Sequence, residues 1–384
     1  MRKIQKIRYL LMGFVLLTAS CVVFASEGSE EKAEKTSDKT TTPERVEVVF
    51  VLDSTGSMGG LIEGAKQKIW SIANEIVCRK PAPEVKIGLL TYRDKGDEYV
   101  TKMFDLTDDI DAVHGNLMTF SASGGGDGPE SVNQALNEAV HKMSWSDGKE
   151  QVYRVIFLVG DAPPHMDYQD DIKYEISCKE ALAKNIIINT IQCGSDSSCT
   201  MPWQEIAKKG EGEYVQIGQQ GDMVAVATPF DEKIVELTKE LNTTVIGYGS
   251  RERRAEVSDK LEAAGMSSFS VQADRAAFNS FSGGRAVQGA NDLVYEMSQN
   301  GIDLSKVKAE ELPENMQKMS KEEQQQYVDS QIAKRKEINA QIADQSKQRS
   351  EWLTEQSRAK PAANSFDAKV SEIITTQMGG TKTE

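Results

Sequence analysis

Histidine is nearly absent from this chain. Its 384 residues hold three, His114, His141 and His165, too few for the His-rich donor set of a dedicated zinc enzyme. No Cys-x-x-Cys occurs among the five cysteines, which argues against metal binding by thiolates. Gly-x-x-x-x-Gly-Lys-Ser/Thr, Gly-x-Ser-x-Gly and His-Glu-x-x-His are all missing. The motif routes to a phosphate loop, a nucleophile elbow and a zinc protease are therefore closed. Positive charge is short as well: 45 Lys and Arg stand against 59 Asp and Glu, a net charge of −14. Nucleic acid and anionic lipid surfaces would be repelled, so neither is expected as a partner. What is present is a globular composition, with 39% hydrophobic and 27% charged residues.

The first 25 residues read as an export signal. Arg2, Lys3, Lys6 and Arg8 precede an apolar run over residues 9–18, and small residues follow up to Ala25. Without those four cations the net charge of −14 becomes −18. Two processing routes are open. Val23-x-Ala25 fits cleavage before Ser26, and Thr18-Ala19-Ser20-Cys21 is an imperfect lipoprotein-type site. The expectation is a protein of the periplasm or cell envelope, on a membrane only if Cys21 carries lipid. No later apolar run reaches 18 residues, so no other membrane span is expected. Cys78, Cys178, Cys193 and Cys199 remain; Cys193 and Cys199 bracket a short loop and are the local candidates for a disulfide, with buried free thiols as the alternative.

Residues 26–43 are Ser, Glu, Lys and Thr almost throughout and read as a disordered tether. Beyond them apolar strands are expected at 45–52, 85–92, 152–159, 185–191 and 213–217, with an antiparallel edge strand at 99–106. Helical spacing is expected at 61–78, 109–120, 129–143, 168–183, 202–208 and 231–241. The strand at 152–159 is nearly all apolar, as burial on both faces requires. Strands alternating with helices predict an α/β fold, a Rossmann-like domain over 44–245 with a mostly parallel sheet. Residues 246–384 are expected to be a mainly helical C-terminal region. Within it, 320–357 read as a long polar helix opened by the capping box Ser320-x-x-Glu323 and docked by a thin apolar stripe.

In open α/β sheets ligands bind beyond the carboxyl ends of the strands. There the first strand runs into Asp53-Ser54-Thr55-Gly56-Ser57. Asp53, Thr55 and Ser57 occupy alternate positions of an extended turn, so three oxygens can converge, and such hard donors suit Mg²⁺ or Mn²⁺. Asp161 ends the strand at 152–160 and supplies a second carboxylate, direct or through water. The glycine-rich stretch 124–130, Gly-Gly-Gly-Asp-Gly-Pro-Glu, brings backbone toward the same point. Glu130 reads as a first-turn helix acid favoured by the helix dipole, and His165 as a residue ordering its loop.

Asp53-x-Thr55-x-Ser57, the glycine-rich loop before a Pro-started helix, and Gly160-Asp161 resemble the metal-ion-dependent adhesion site of the von Willebrand factor type A family, over about residues 44–243. Tyr92-Arg-Asp-Lys-Gly-Asp97, Gly160-Asp-Ala-Pro-Pro-His165 and Trp203-Gln-Glu-Ile-Ala207 are more narrowly similar to bacterial exported members with a helical C-terminal extension. The resemblance implies a Rossmann-like domain holding Mg²⁺ through Asp53, Thr55, Ser57 and Asp161, with the acidic side chain of a protein partner completing the coordination. The family's loop threonine falls at Gly128, and either Asp127 or a water takes its place. Binding, not catalysis, is therefore the expected role. An envelope scaffold working through the C-terminal helices and a metal-dependent hydrolase are the alternatives.

Overall fold

The computed structural model describes residues 43, 45–79, 82–126, 128–147, 151–223, 226–282, 291–359 and 364–379. The expected leader, Cys21, most of the tether and Asp127 lie outside the described residues.

Valine-rich β1 (Arg45–Asp53) and β4 (Val152–Gly160) lie side by side in parallel register at the centre of a six-stranded sheet. The order is β3-β2-β1-β4-β5-β6, with β2 (Glu84–Tyr92), β3 (Thr101–Thr107), β5 (Ile186–Cys193) and β6 (Glu211–Ile217). All pairings are parallel except β2 with β3, which places the expected antiparallel strand at the edge. From β1 the chain winds outward through β2 and returns at β4, so the sheet's switch point lies between β1 and β4.

Apolar side chains on both faces of β1 and β4 require cover on both sides. One face is covered by α1 (Gly59–Val77) and α2 (Ile110–Met118), the other by α3 (Val132–Lys142), α4 (Tyr174–Ala183) and α5 (Ser197–Lys209). Two helices start later than their spacing predicts. Residues 129–131 are drawn out of the first turn of α3, because Glu130 makes a parallel bridge to Pro164. Tyr168 is held by Asp94 and stacked on His165, so α4 opens only after Lys173. Helix α5 opens before Pro202, capped by the Asp196 side chain.

The helices beyond β6 complete the core. They are α6 (Asp231–Asn242), α7 (Arg251–Gly265), α8 (Phe269–Phe281), α9 (Leu293–Gln299), α10 (Glu314–Gln317), the 39-residue α11 (Lys321–Ala359) and α12 (Phe366–Gln377). Val271 and Phe278 of α8, with Phe366, Val370, Ile373 and Ile374 of α12, are buried in the cluster under α1. Ile246, Leu293, Val294, Leu304, Leu312, Met316 and Val328 build a smaller cluster of their own. The capping box at the start of α11 is formed: Glu323 N–H donates to Ser320 Oγ (3.2 Å) and Ser320 N–H to Glu323 Oε2 (2.7 Å). The docked stripe buries Val328, Ile338 and Ile342, and also two arginines, Arg335 and Arg349.

This packing sets an expectation for truncation. Each large apolar side chain kept from water contributes ~1.5–3 kcal/mol. Removing the six residues that α8 and α12 add under α1 therefore costs on the order of a domain's whole stability, ~5–15 kcal/mol. A chain cut after residue 245 should lose its cooperative unfolding transition and bind a hydrophobic dye. A sharp melt within a few degrees of the full chain would contradict this account.

The four cysteines from Cys78 onward are free thiols, three of them buried. The expected local pair does not form because Cys193 packs on one face of the sheet and Cys199 on the other. Burial pushes both thiols well above their usual range.

Candidate metal centre

β1 ends at Asp53 and β4 at Gly160, on the two sides of the switch point. The two strand ends touch: a Cβ on Gly160 would stand 3.0 Å from the Asp53 Cβ and 2.5 Å from the Tyr92 hydroxyl. Only glycine permits this approach, and it brings Asp161 beside the Asp53 turn.

The turn itself is tied from several sides. Thr55 N–H and Oγ1–H both donate to Asp53 Oδ1, at 2.8 and 2.7 Å. Thr55 Oγ1 lies 3.5 Å from Ser57 Oγ, so the hydroxyls converge as the alternation predicts. Gly56 N–H donates to Gly124 O (3.2 Å) and Ser123 N–H to Ser54 O (3.0 Å), fastening the glycine-rich loop to the turn. Gly124 and Gly125 have φ of +77° and +78°, and Gly125 N–H donates to Asp97 Oδ2 (3.0 Å). A Cβ on Gly124 would stand 2.3 Å from Asp97 Oδ1.

The electrostatics of this rim are dominated by acids. Asp53 is fully buried, and its Oδ2 has no hydrogen-bond partner among the described residues. Burial drives its carboxyl up to about 7, against the two Thr55 hydrogen bonds; the charge of Asp161 adds to the rise, while the Asp161 backbone N–H lies near enough to oppose it. Glu130 is 3% exposed, and its Oε2 is likewise without a partner among the described residues. Burial, then the charges of Asp53, Asp94, Asp97 and Asp161, push it up to about 9. Glu130 thus lies ahead of α3, which begins at Val132, and is not the first-turn helix acid that the sequence suggests.

A hard divalent cation fits this donor set. It would give the orphaned Asp53 oxygen the partner that every buried carboxylate needs. Asp53, Thr55 and the exposed Ser57 converge in one turn, and the half-buried Asp161 is close enough for its charge to act on Asp53 and shares Gln219 with Ser57. Asp127 lies outside the described residues, so its place in the set is left to the sequence. No group of three or more His, Cys, Asp or Glu side chains is placed to hold a metal among the described residues. Any ion here would depend on hydroxyls and retained waters, as Mg²⁺ does.

Gln219 is a neighbour that the sequence did not reveal. It lies on the loop after β6, and its Nε2 donates to Asp161 Oδ2 (2.6 Å), reaching toward Ser57 O at 3.5 Å. The basic residues near the rim are engaged. Arg93 donates to Ser54 O (3.3 Å) and Ser121 O (2.9 Å) and lies over the Tyr99 ring. Lys95 pairs with Asp170 and Asp171. His165 orders its loop as expected: it stacks on Tyr168 at 3.9 Å, and its backbone N–H donates to Glu130 O.

Comparisons with known proteins give partial matches. An ariadne-like RING finger protein of Acanthamoeba polyphaga mimivirus is 26% identical over 162 residues, which cover 38% of this chain and 16% of that protein. The chain thus spans about a sixth of that relative's length. Among solved structures, the SpRpn10 VWA domain is 16% identical, with 46% of this chain and 88% of that one covered and a TM-score of 0.35. Proximal thread matrix protein 1 from the mussel byssus is 15% identical, with 47% and 43% covered and a TM-score of 0.35. Residues 47–227 match the family model of the von Willebrand factor A domain, and the six-stranded, helix-flanked sheet they form is a fold of that type.

Proposed function

We propose that this chain is a protein-binding module of the bacterial cell envelope. In this reading it grips an acidic side chain of its partner through a Mg²⁺ or Mn²⁺ ion held at the switch point. Asp53, Thr55, Ser57 and Asp161 would hold the ion, with Asp127 as an added donor. The domain match supports the protein-interaction role. The observation that carries the metal dependence is the fully buried Asp53, whose Oδ2 lacks a partner among the described residues and faces the Asp161 turn. Two carboxylates leave the dication short of oxygen donors, so an outside carboxylate completes it. With Arg93 and Lys95 engaged elsewhere, the rim offers little to hold a phosphate, which favours binding over hydrolysis. Export and an envelope location are proposed from the N-terminal sequence alone.

The test is a melting curve with metal and with EDTA. Metal at about a hundred times Kd should stabilise the wild type by ~2.7 kcal/mol, and Asp53→Ala should remove the shift. No shift in the wild type at millimolar metal would sink the reading. Crosslinking to envelope extracts with Mg²⁺, and again with EDTA, should give a partner only in the first.

A further inference from the structure

We infer that Glu130 is a third acid of this cation site, working from the loop position where Gly128 leaves no hydroxyl. The inference rests on the cation site proposed above and names a residue that the resemblance does not supply.

Four observations converge on it. Glu130 is 3% exposed, yet its Oε2 has no hydrogen-bond partner among the described residues, a costly state for a carboxyl group. Its Oε1 lies 3.0 Å from the point where a Cβ on Gly125 would stand, and the Thr55 Cβ lies 3.1 Å from the same point. The Glu130 carboxyl and the Thr55 side chain of the Asp53 turn therefore flank the same glycine of the loop. Its backbone is clamped on both sides, since Glu130 N–H donates to Pro163 O and Glu130 O accepts from His165 N–H. That clamp ties it to the loop that begins with Asp161. Finally, a Cβ on Gly128 would meet nothing within 4 Å among the described residues, so there is room for a hydroxyl side chain at that position.

Because Asp53, Asp161 and Glu130 do not form a closed three-acid cage, Glu130 acts through water. Mg²⁺ and Mn²⁺ keep part of their hydration in such sites, and Glu130 Oε2 accepts a hydrogen bond from a water on the ion. It is a positioning acid, orienting that water and adding negative charge. Partners of this outer kind typically change metal affinity by about 10- to 100-fold when removed.

The experiment is calorimetric titration of the full chain with Mn²⁺ and with Mg²⁺, for wild type, Asp53→Ala, Glu130→Gln and the double variant that combines Glu130→Gln with Gly128→Thr. Glutamine keeps the size and removes the charge. Glu130→Gln should bind about tenfold or more weakly at unchanged stoichiometry, with its melting temperature in EDTA not lowered. The hydroxyl that Gly128→Thr adds should recover part of the loss. Glu130→Gln binding within about twofold of wild type overturns the role of Glu130 and leaves the cation site standing. A lowered melting temperature in EDTA, with no recovery in the double variant, assigns Glu130 to the scaffold and also overturns it. Wild type without heat, or Asp53→Ala binding like wild type, removes the cation site itself.

Discussion

Arg349→Ala should lower stability by ~3–5 kcal/mol and the melting temperature by roughly 5–10 °C. The residue sits on α11, far in sequence from everything it holds. Its Nε donates to Asp231 Oδ1 on α6 (2.7 Å) and its Nη1 to Asp274 Oδ1 on α8 (2.6 Å). Asp274 in turn is linked to the sheet layer, because Asn74 Nδ2 of α1 donates to its carbonyl (2.8 Å). All three charged groups are buried or nearly so, and burial holds Asp274 above the usual carboxylate range even beside the guanidinium. Removing the cation strands two carboxylates with little water to solvate them, and that stranding is the main cost. Adding Asp231→Asn and Asp274→Asn should therefore return part of the stability lost in Arg349→Ala. Arg349→Lys should fall between, since one ammonium does not span both acids with the planar fork of arginine. Chemical denaturation of these variants beside the wild type checks this. A loss under about 1 kcal/mol for Arg349→Ala would mean that the pair is solvated like a surface ion pair.

The contrast between this clamp and the sheet shows what the sequence discloses. β1, β2, β4 and β5 are legible because burial on both faces forces unbroken apolar runs, which little else in a soluble chain produces. The Asp53 turn stands out less by itself, since Asp-Ser-Thr-Gly-Ser also suits a plain strand-to-helix turn, than by its company with the glycine-rich loop and Asp161 at the ends of neighbouring elements. Helices α8 and α12 are not legible. Each is a short segment of 13 or 12 residues, and their place under α1 depends on partners more than a hundred residues away in sequence. The docking of α11 is hidden because part of its contact is ionic, and Arg335 and Arg349 look like any solvated charge until Asp292, Asp231 and Asp274 come into view. Glu130 misleads for a local reason. Pro129 is a good helix opener, yet the bridge between Glu130 and Pro164 pulls this stretch out of α3 and turns the acid inward. Gln219 carries no local signal, because it meets Asp161 only through the order of the sheet.

If the switch point holds a dication as proposed, the same inward acids should produce a second large effect, a dependence of metal stabilisation on pH. In the metal-free chain, burial lifts Asp53 from 3.8 to about 7 and Glu130 from 4.5 to about 9. An acid whose folded value lies above its unfolded value binds more protons folded than unfolded. The stability it contributes is full below the unfolded value and is lost as pH rises through the folded one. The metal-free chain should accordingly weaken between about pH 5 and 9, by up to ~1.4 kcal/mol per pH unit for each such proton. A bound dication changes the sign of the balance: it favours the ionised carboxylates, so its binding releases protons and tightens as pH rises. Melting temperatures in EDTA should fall across this range, those in saturating Mg²⁺ should hold or fall less, and the gap between the two curves should widen with pH. Asp53→Asn should reduce the slope of the EDTA curve below about pH 7, and Glu130→Gln should reduce it there and flatten the curve from about pH 7 to 9. Two curves that stay parallel from about pH 5.5 to 9 would mean that metal, if bound, meets carboxylates already ionised. The buried acids at the switch point would then have no part in holding it.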